Sequence, residues 1–192
     1  VVRFAIGIQP SLTTNTISTL ALINVLVAHY RDENQYDKIE ALYQVMLTNS
    51  EKLFGIEHPT TAIILHELGW HRRGQGKYDE AEEFYMHALS VREKMLGTEH
   101  ADTAQTIHFL AELKLEQGKT EEAKSLYHRA LNIRDKVLGN KHIATGATLH
   151  ELARIYEDMN MNDEAEQFYL RCLNIYEKVL GTKHPDIAMV LH

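Results

Sequence analysis

Apolar residues recur along this chain in two alternating helical registers. From about His58 to Arg73, Ala62, Leu65, Leu68 and Gly69 fall on one side of a helix. From Tyr78 to Leu96, Ala81, Tyr85, Ala88, Leu89 and Leu96 do the same, which predicts a second helix. Between the two helices of each unit stands Asn34, Gly76, Gly118 or Asn160, residue types that tolerate the left-handed backbone of a tight helix end. Gly97, Gly139 and Gly181 end the second helix for the same reason. Lys94, Lys136 and Lys178 fall in its last turn, where a cation meets the negative end of the helix. Pro59 and Pro185 fit a first helical position, where the missing N–H costs nothing, so the histidine before each is the expected N-cap.

The pattern repeats every 42 residues. Gly55, Gly97, Gly139 and Gly181 share one register, as do His58, His100, His142 and His184, and Tyr43, Tyr85, Tyr127 and Tyr169. Blocks 97–138 and 139–180 are identical at 17 of 42 positions. Four copies fit, 13–54, 55–96, 97–138 and 139–180, and residues 181–192 begin a fifth. The first copy diverges most, with Thr13, Thr16 and Ile39 at the Gly, His and Ala places. A single pair cannot bury its apolar stripe alone, so the pairs must stack. Gly69, Ala111 and Ala153 then let the first helix approach the second, Ala81, Ala123 and Ala165 do so from the other side, and the tyrosines fill the space between consecutive pairs.

These residues resemble the tetratricopeptide pattern: Leu68-Gly69, Ala81, Tyr85, Ala88; Leu110-Ala111, Ala123, Tyr127, Ala130; Leu152-Ala153, Ala165, Tyr169, Cys172. The length of the repeat and its closing Leu180, Gly181, His184, Pro185 resemble the kinesin-light-chain type. The resemblance covers residues 13–192 and implies an all-α superhelix, a solenoid of antiparallel helix pairs. Tyrosine late in the first helix is present as Tyr30 and Tyr156, but Arg72 and Lys114 stand there in the second and third copies, which predicts a more solvated side for those helices. Residues 1–12 are expected to hold the last turn of a preceding helix, Val2 to Ile6 with Gly7 as its cap, and a linker Gln9-Pro10-Ser11-Leu12. The start at Val1 and the end inside a helical pattern read as a fragment of something longer.

Charge and composition narrow the function. Lys+Arg 20 against Asp+Glu 27 leave a net charge of −7, which argues against nucleic acid and anionic membrane as partners. The longest apolar stretch, Leu20 to Ala28, contains Asn24 and falls well short of a membrane span. The single cysteine, Cys172, replaces Ala88 and Ala130 in its register and reads as a small buried side chain; it fits a reducing, cytoplasmic compartment.

The 12 histidines invite a metal reading, which the spacing denies. His66-Glu67 and His150-Glu151 approach the H-E-x-x-H motif, but Trp70 and Arg154 occupy the place of the second histidine. His58, His100, His142 and His184 read as caps or packing groups. His66, His108, His150 and His192 lie on first helices about 10 Å apart, too far to share a metal ion, and can form a ladder of hydrogen-bonding groups. Gly74-Gln75-Gly76-Lys77 has no strand before it and is no phosphate loop, and no activated nucleophile is evident. Neither an enzyme nor a cofactor is expected.

The resemblance further implies that first helices line a concave groove for a partner segment. Carried over position by position, the groove comprises Ala21, Asn24, Ala28, Arg31 and Asp32; Ile63, His66, Trp70, Arg73 and Gly74; Gln105, His108, Glu112, Leu115 and Glu116; and Ala147, His150, Arg154, Glu157 and Asp158. Neutral histidine in place of the asparagine grips a partner backbone, and that grip weakens toward pH 6. Acidic groove residues outnumber basic ones, so the expected partner is a protein segment that is mixed or net basic. Trp70 is either its apolar anchor or a group packed under the neighbouring repeat. The basic clamp that the family's co-chaperones use for an acidic chaperone tail is absent. The expected function is a protein-interaction scaffold. The alternative is a regulatory or self-association arm of a larger signalling or transport protein, a cargo adaptor or a nucleotide-dependent signalling protein.

Overall fold

The computed structural model describes residues 25–27, 29–30 and 35–181, all helix and connecting turn. Seven helices are described: α1 (Tyr36–Phe54), α2 (Pro59–Gly74), α3 (Tyr78–Leu96), α4 (Ala101–Glu116), α5 (Thr120–Val137), α6 (Ile143–Asp158) and α7 (Asn162–Leu180). The chain divides into two compact units, 1–49 and 50–192. In the first, Ile39 and Tyr43 are buried on α1. The second unit holds the last turn of α1 and the pairs α2/α3, α4/α5 and α6/α7. The expectations for residues 1–12, Asn34 and Pro185 lie outside the described residues, as does that for His184.

Each boundary has a backbone cause. The first helices start 42 residues apart, and each start is capped by a histidine whose Nδ1 accepts a backbone N–H: from Thr60 at His58 (3.2 Å), from Asp102 at His100 (3.1 Å) and from Ala144 at His142 (3.1 Å). A threonine fixes the preceding turn in each repeat: Thr61, Thr103 and Thr145 donate to the carbonyls of Gly55, Gly97 and Gly139. The turn inside each pair passes through positive φ, at Gly76 (72°), Gly118 (74°) and Asn160 (59°).

Packing within a pair depends on a small residue under a tyrosine. A Cβ on Gly69 would lie 2.8 Å from Tyr85 Cδ1, a clash that only glycine avoids with this ring position. Tyr85 and Tyr127 are completely buried, and one core cluster joins residues of α3, α4 and α5 while a second joins α4 through α7. The core therefore runs continuously from pair to pair, as a stack requires.

Buried charge ties neighbouring pairs together. Arg92 on α3 donates to Asp102 O (2.7 Å) and Thr106 Oγ1 (2.6 Å) at the start of α4. One repeat on, Arg134 donates to Ala144 O (2.7 Å) and to Thr148 Oγ1. Arg92 and Arg134 are only 3% and 5% exposed, so these acceptors replace the water that each guanidinium loses. In the fourth copy Tyr176 stands at this register. Its ring turns back onto Gly146, where a Cβ would lie 2.4 Å away and where the second and third copies have Ala62 and Ala104.

Arg72 and Lys114 correct the expectation of a solvated side. Both are buried. Arg72 Nε pairs with Glu80 at 3.1 Å, and Lys114 Nζ pairs with Glu82 at 2.6 Å and Glu122 at 3.3 Å. The long apolar stems fill the tyrosine's space while carboxylates on second helices receive the heads.

Two outcomes test this packing. Gly69→Ala lowers stability by about 1–2 kcal/mol, because overpacking costs roughly 1–3 and helix propensity returns at most about 1; urea denaturation of the variant reads the difference, and a more stable variant contradicts the Tyr85 contact. Thr148→Val costs about 1–3 kcal/mol by stripping an acceptor from buried Arg134. The same change made together with Arg134→Leu costs much less, and a double-mutant cycle by denaturation measures that coupling.

Candidate functional site

The first helices α2, α4 and α6 carry the candidate face. Side chains that point away from the paired helix remain in part outside the core: Ile63, Gln105 and Ala147 share one register and are each half-buried, as are Trp70, Arg73 and Leu115. Trp70 and Phe109 rest against the same buried cluster of α3, α4 and α5. Arg154, Glu157 and Asp158 are exposed at the end of α6. Asn24 and Arg31, with Ala21, Ala28 and Asp32, lie outside the described residues, and so does His192.

The histidines behave differently from a row of open groups. His66 and His108 are 3% and 6% exposed, and His150 is half-buried. Each packs its ring on the tyrosine of its own repeat: His66 on Tyr85 (5.3 Å between centroids), His108 on Tyr127 (5.1 Å) and His150 on Tyr169 (5.9 Å). Phe109 bridges successive rungs, 5.0 Å from His66 and 5.9 Å from His108. The ladder is thus aromatic and lies beneath the surface.

A polar chain crosses three repeats through His108. Arg73 on α2 bonds Glu112 on α4 and lies 3.5 Å from Glu116. Glu112 Oε1 sits 3.1 Å from His108 Nε2, and His108 Nδ1 lies 3.4 Å from Thr148 Oγ1 on α6, which also accepts from Arg134. Arg73 also covers the Phe109 ring at 5.7 Å. The acidic excess read from the sequence is therefore partly cancelled within the chain: Arg73 serves Glu112 and Glu116, and Arg154 pairs with Glu151 at 3.2 Å. Glu157 accepts the Tyr169 hydroxyl at 2.8 Å.

These surroundings set the titrations. Burial holds the His66 ring well below the ordinary imidazole range, and the guanidiniums of Arg92 and Arg73 push the same way. Burial also depresses His108, against the opposing pull of Glu112. Burial raises the Glu112 carboxyl, but the hydrogen bond from His108 and the charge and hydrogen bond of Arg73 outweigh it, so it stays ionised. Burial leaves Glu116 raised, since it shares one guanidinium with Glu112. Burial thus opposes protonation of His66 and His108 as the pH falls, which works against a grip that fades toward acid. His66 Nδ1, Tyr85 OH and Tyr127 OH are buried without a hydrogen-bond partner.

The sequence reading missed Phe109, Glu151 and the Arg134–Thr148 contact. A signal for the last exists. Residue pairs 92/106 and 134/148 are Arg/Thr, whereas 50/64 is Ser/Ile and 176/190 is Tyr/Val, so the two positions change together. Among the described residues no three metal-ligating side chains converge.

A family profile described as tetratricopeptide repeat matches residues 18–94, 71–127 and 102–178. The chain belongs to the tetratricopeptide repeat family. Solved structures agree. BtubC (BKLC) from P. vanneervenii is similar in fold, with a TM-score of 0.81 and 23% identity over 90% of this chain and 69% of that one. A putative kinesin light chain of P. anserina with nearly identical TPR-like repeats has a TM-score of 0.74 and 26% identity, over 90% of this chain and 82% of its own. The apo form of RapI has a TM-score of 0.74 and 13% identity, and this chain spans 60% of its length. No curated protein sequence matches the chain. The fold is thus an α-α superhelix of kinesin-light-chain-like tetratricopeptide repeats, and a repeat protein of this family suggests a protein–protein interaction scaffold.

The buried ladder has a consequence for stability. The unfolded histidines take up a proton near their ordinary value of about 6.5, while folded His66 and His108 resist it. Their contribution is complete above that value and is lost as the pH falls below it. Denaturation midpoints at about pH 7.5 and about pH 5.5 therefore differ, with the lower stability in acid. In His66→Asn, which installs the residue that the first copy carries at this register, the difference between the two pH values shrinks.

Proposed function

We propose that this repeat protein is a non-enzymatic scaffold that holds an extended or helical segment of a partner along the first-helix face, as a groove. The observation that carries the reading is the seating of Trp70. Its indole is half-buried on the core shared by the second and third repeats, the same core on which Phe109 rests under Arg73. A large aromatic held rigidly by a core, with one side left to solvent, is the form that binding hot spots take. Ile63, Gln105 and Ala147 extend the face at the repeat spacing, and Arg154, Glu157 and Asp158 end it.

The roles along the groove divide by burial. Trp70 and Ile63 anchor, Gln105 and Arg154 offer polar contacts, and the carboxylates of Glu116, Glu157 and Asp158 attract a mixed or net basic segment. His66 and His108 support the floor instead of touching the partner. Among the described residues no helix is long and apolar enough to cross a membrane, which suits a cytoplasmic scaffold.

A peptide selected against the folded chain from a phage-displayed random library tests the site. Its affinity, measured by isothermal titration, drops by roughly thirtyfold or more on Trp70→Ala, the loss expected of a hot spot. Glu83→Ala on the outer face of α3 leaves the affinity unchanged. Selected peptides that bind the Trp70→Ala variant as tightly as the parent place the interaction elsewhere.

A further inference from the structure

A cleft of about 410 Å³ opens beside the first half of α7. Ala165, Tyr169 and Leu173 line it, together with the exposed carboxylates Glu157 and Glu166. The two preceding repeats show what this register receives. Ala81, Tyr85 and Leu89 pack in one core with Ile107 and Leu110 of α4. Ala123, Tyr127 and Leu131 pack in one with Leu149 and Leu152 of α6. Each time the occupant is a helix that presents an apolar stripe. Tyr85 and Leu89 are buried in this way, whereas Tyr169 and Leu173 are half-buried.

The covering helix also matches the charge at the edge. Glu82, at the register of Glu166, receives Lys114 Nζ of α4 at 2.6 Å and the Gln117 side-chain amide at 3.2 Å. Arg73, at the register of Glu157, pairs with Glu112 and lies 3.5 Å from Glu116, both on α4. In the third repeat Leu115 and Lys124 hold these two places. Leu115 packs against the shared core, and Lys124 meets the Met159 sulfur at 3.7 Å and the Tyr156 ring at 5.9 Å. Edge and covering helix thus change together. In the fourth repeat both places are acidic, and the Tyr169 hydroxyl, donating to Glu157 at 2.8 Å, anchors that carboxylate beside the cleft.

A helix for this cleft therefore carries cations where α4 carries Glu112, Lys114 and Glu116. The α4 of a second copy does not fit, because it sets two carboxylates against Glu157. We propose that the cleft docks an amphipathic helix of a partner protein, apolar along one stripe and basic over its last two turns. The stripe covers Ala165, Tyr169 and Leu173, and the basic residues meet Glu157 and Glu166. The cleft shares only Glu157 with the first-helix face and stands or falls separately from the groove.

The probe is a synthetic peptide with the sequence of Ala101–Gln117, the helix that covers this register in the second repeat, carrying Glu112→Lys and Glu116→Lys to match Glu157. It is titrated to millimolar concentration into the isotope-labelled full chain and followed by NMR. Saturable shifts are expected at the residues that line the cleft. The peptide without the two exchanges binds about tenfold more weakly, since attraction at two places becomes repulsion. In the Glu157→Arg chain, which restores the arrangement of the second repeat, the preference between the two peptides reverses. Circular dichroism of that variant stays near the parent's, because Glu157 is exposed. Trp70→Ala leaves the affinity for the exchanged peptide unchanged, which separates this cleft from the groove. The proposal is overturned if the exchanged peptide gives no saturable shifts, binds no tighter than a scrambled peptide of the same composition, or binds the parent and Glu157→Arg chains equally.

Discussion

The contact between a small residue on a first helix and the tyrosine of its partner helix is the constraint on which this structure depends. Gly69 under Tyr85 shows it most directly, because no Cβ fits there without moving the ring. Ala111 and Ala153 hold the corresponding places. With the helices drawn this close, the tyrosine rings become completely buried in the second and third repeats and form the floor on which the next pair rests. The histidines of the first helices pack on those rings. Geometry set at the tightest contact is thus passed upward, layer by layer, to the surface that meets solvent. The same contact leaves the hydroxyls of Tyr85 and Tyr127 buried without partners, a cost of about 1–3 kcal/mol for each such group that ring burial offsets.

Charge inside the stack follows a similar logic of paired positions. A guanidinium as buried as Arg92 or Arg134 is tolerable only if oxygen atoms replace its water, and the next repeat supplies them as one carbonyl and one threonine. Where the arginine is missing, the threonine is missing too: Ser50 goes with Ile64, and Tyr176 with Val190. Gly146 completes the account, since the tyrosine that replaces arginine needs room on its own first helix. Residues that differ between copies are therefore substituted in sets, each set keeping its own part of the stack satisfied.

What the sequence discloses and what it hides divide along physical lines. Helix ends were legible because local backbone chemistry fixes them: His58, His100 and His142 cap as their spacing before a helix implies, and Gly76, Gly118 and Asn160 turn the chain at positive φ. The repeat was legible because a register of 42 leaves small residues and tyrosines facing one another. The fate of long polar side chains was not. Lys114 and Arg72 look solvated in a helical wheel, yet carboxylates on a different helix draw them into the core. His66 and His108 look like groove groups, yet Phe109, a residue without a counterpart in the other described copies, closes over them from the adjacent helix. In each case the deciding neighbour belongs to another element, and a pattern read along one helix carries no record of it.

This has a bearing on how such a face recognises a partner. Counting charges along the first helices gives a strongly acidic groove, but Arg73 is shared by Glu112 and Glu116, and Arg154 is held by Glu151. The field offered to a ligand is the remainder after these internal pairs, and it is concentrated toward Glu157 and Asp158 at the end of α6. Arg73, Glu112, His108, Thr148 and Arg134 also form one continuous chain from the groove side to the buried strap between the third and fourth repeats. A ligand group that displaces Arg73 from Glu112 must therefore disturb contacts that fix the spacing of two further repeats. Hydrogen-bonded chains of this kind resist partial rearrangement, because each member loses a partner when its neighbour moves. The second and third repeats are thus expected to offer a preformed, rigid seat around Trp70, whereas the exposed end of α6 is free to adjust its side chains to the segment it meets.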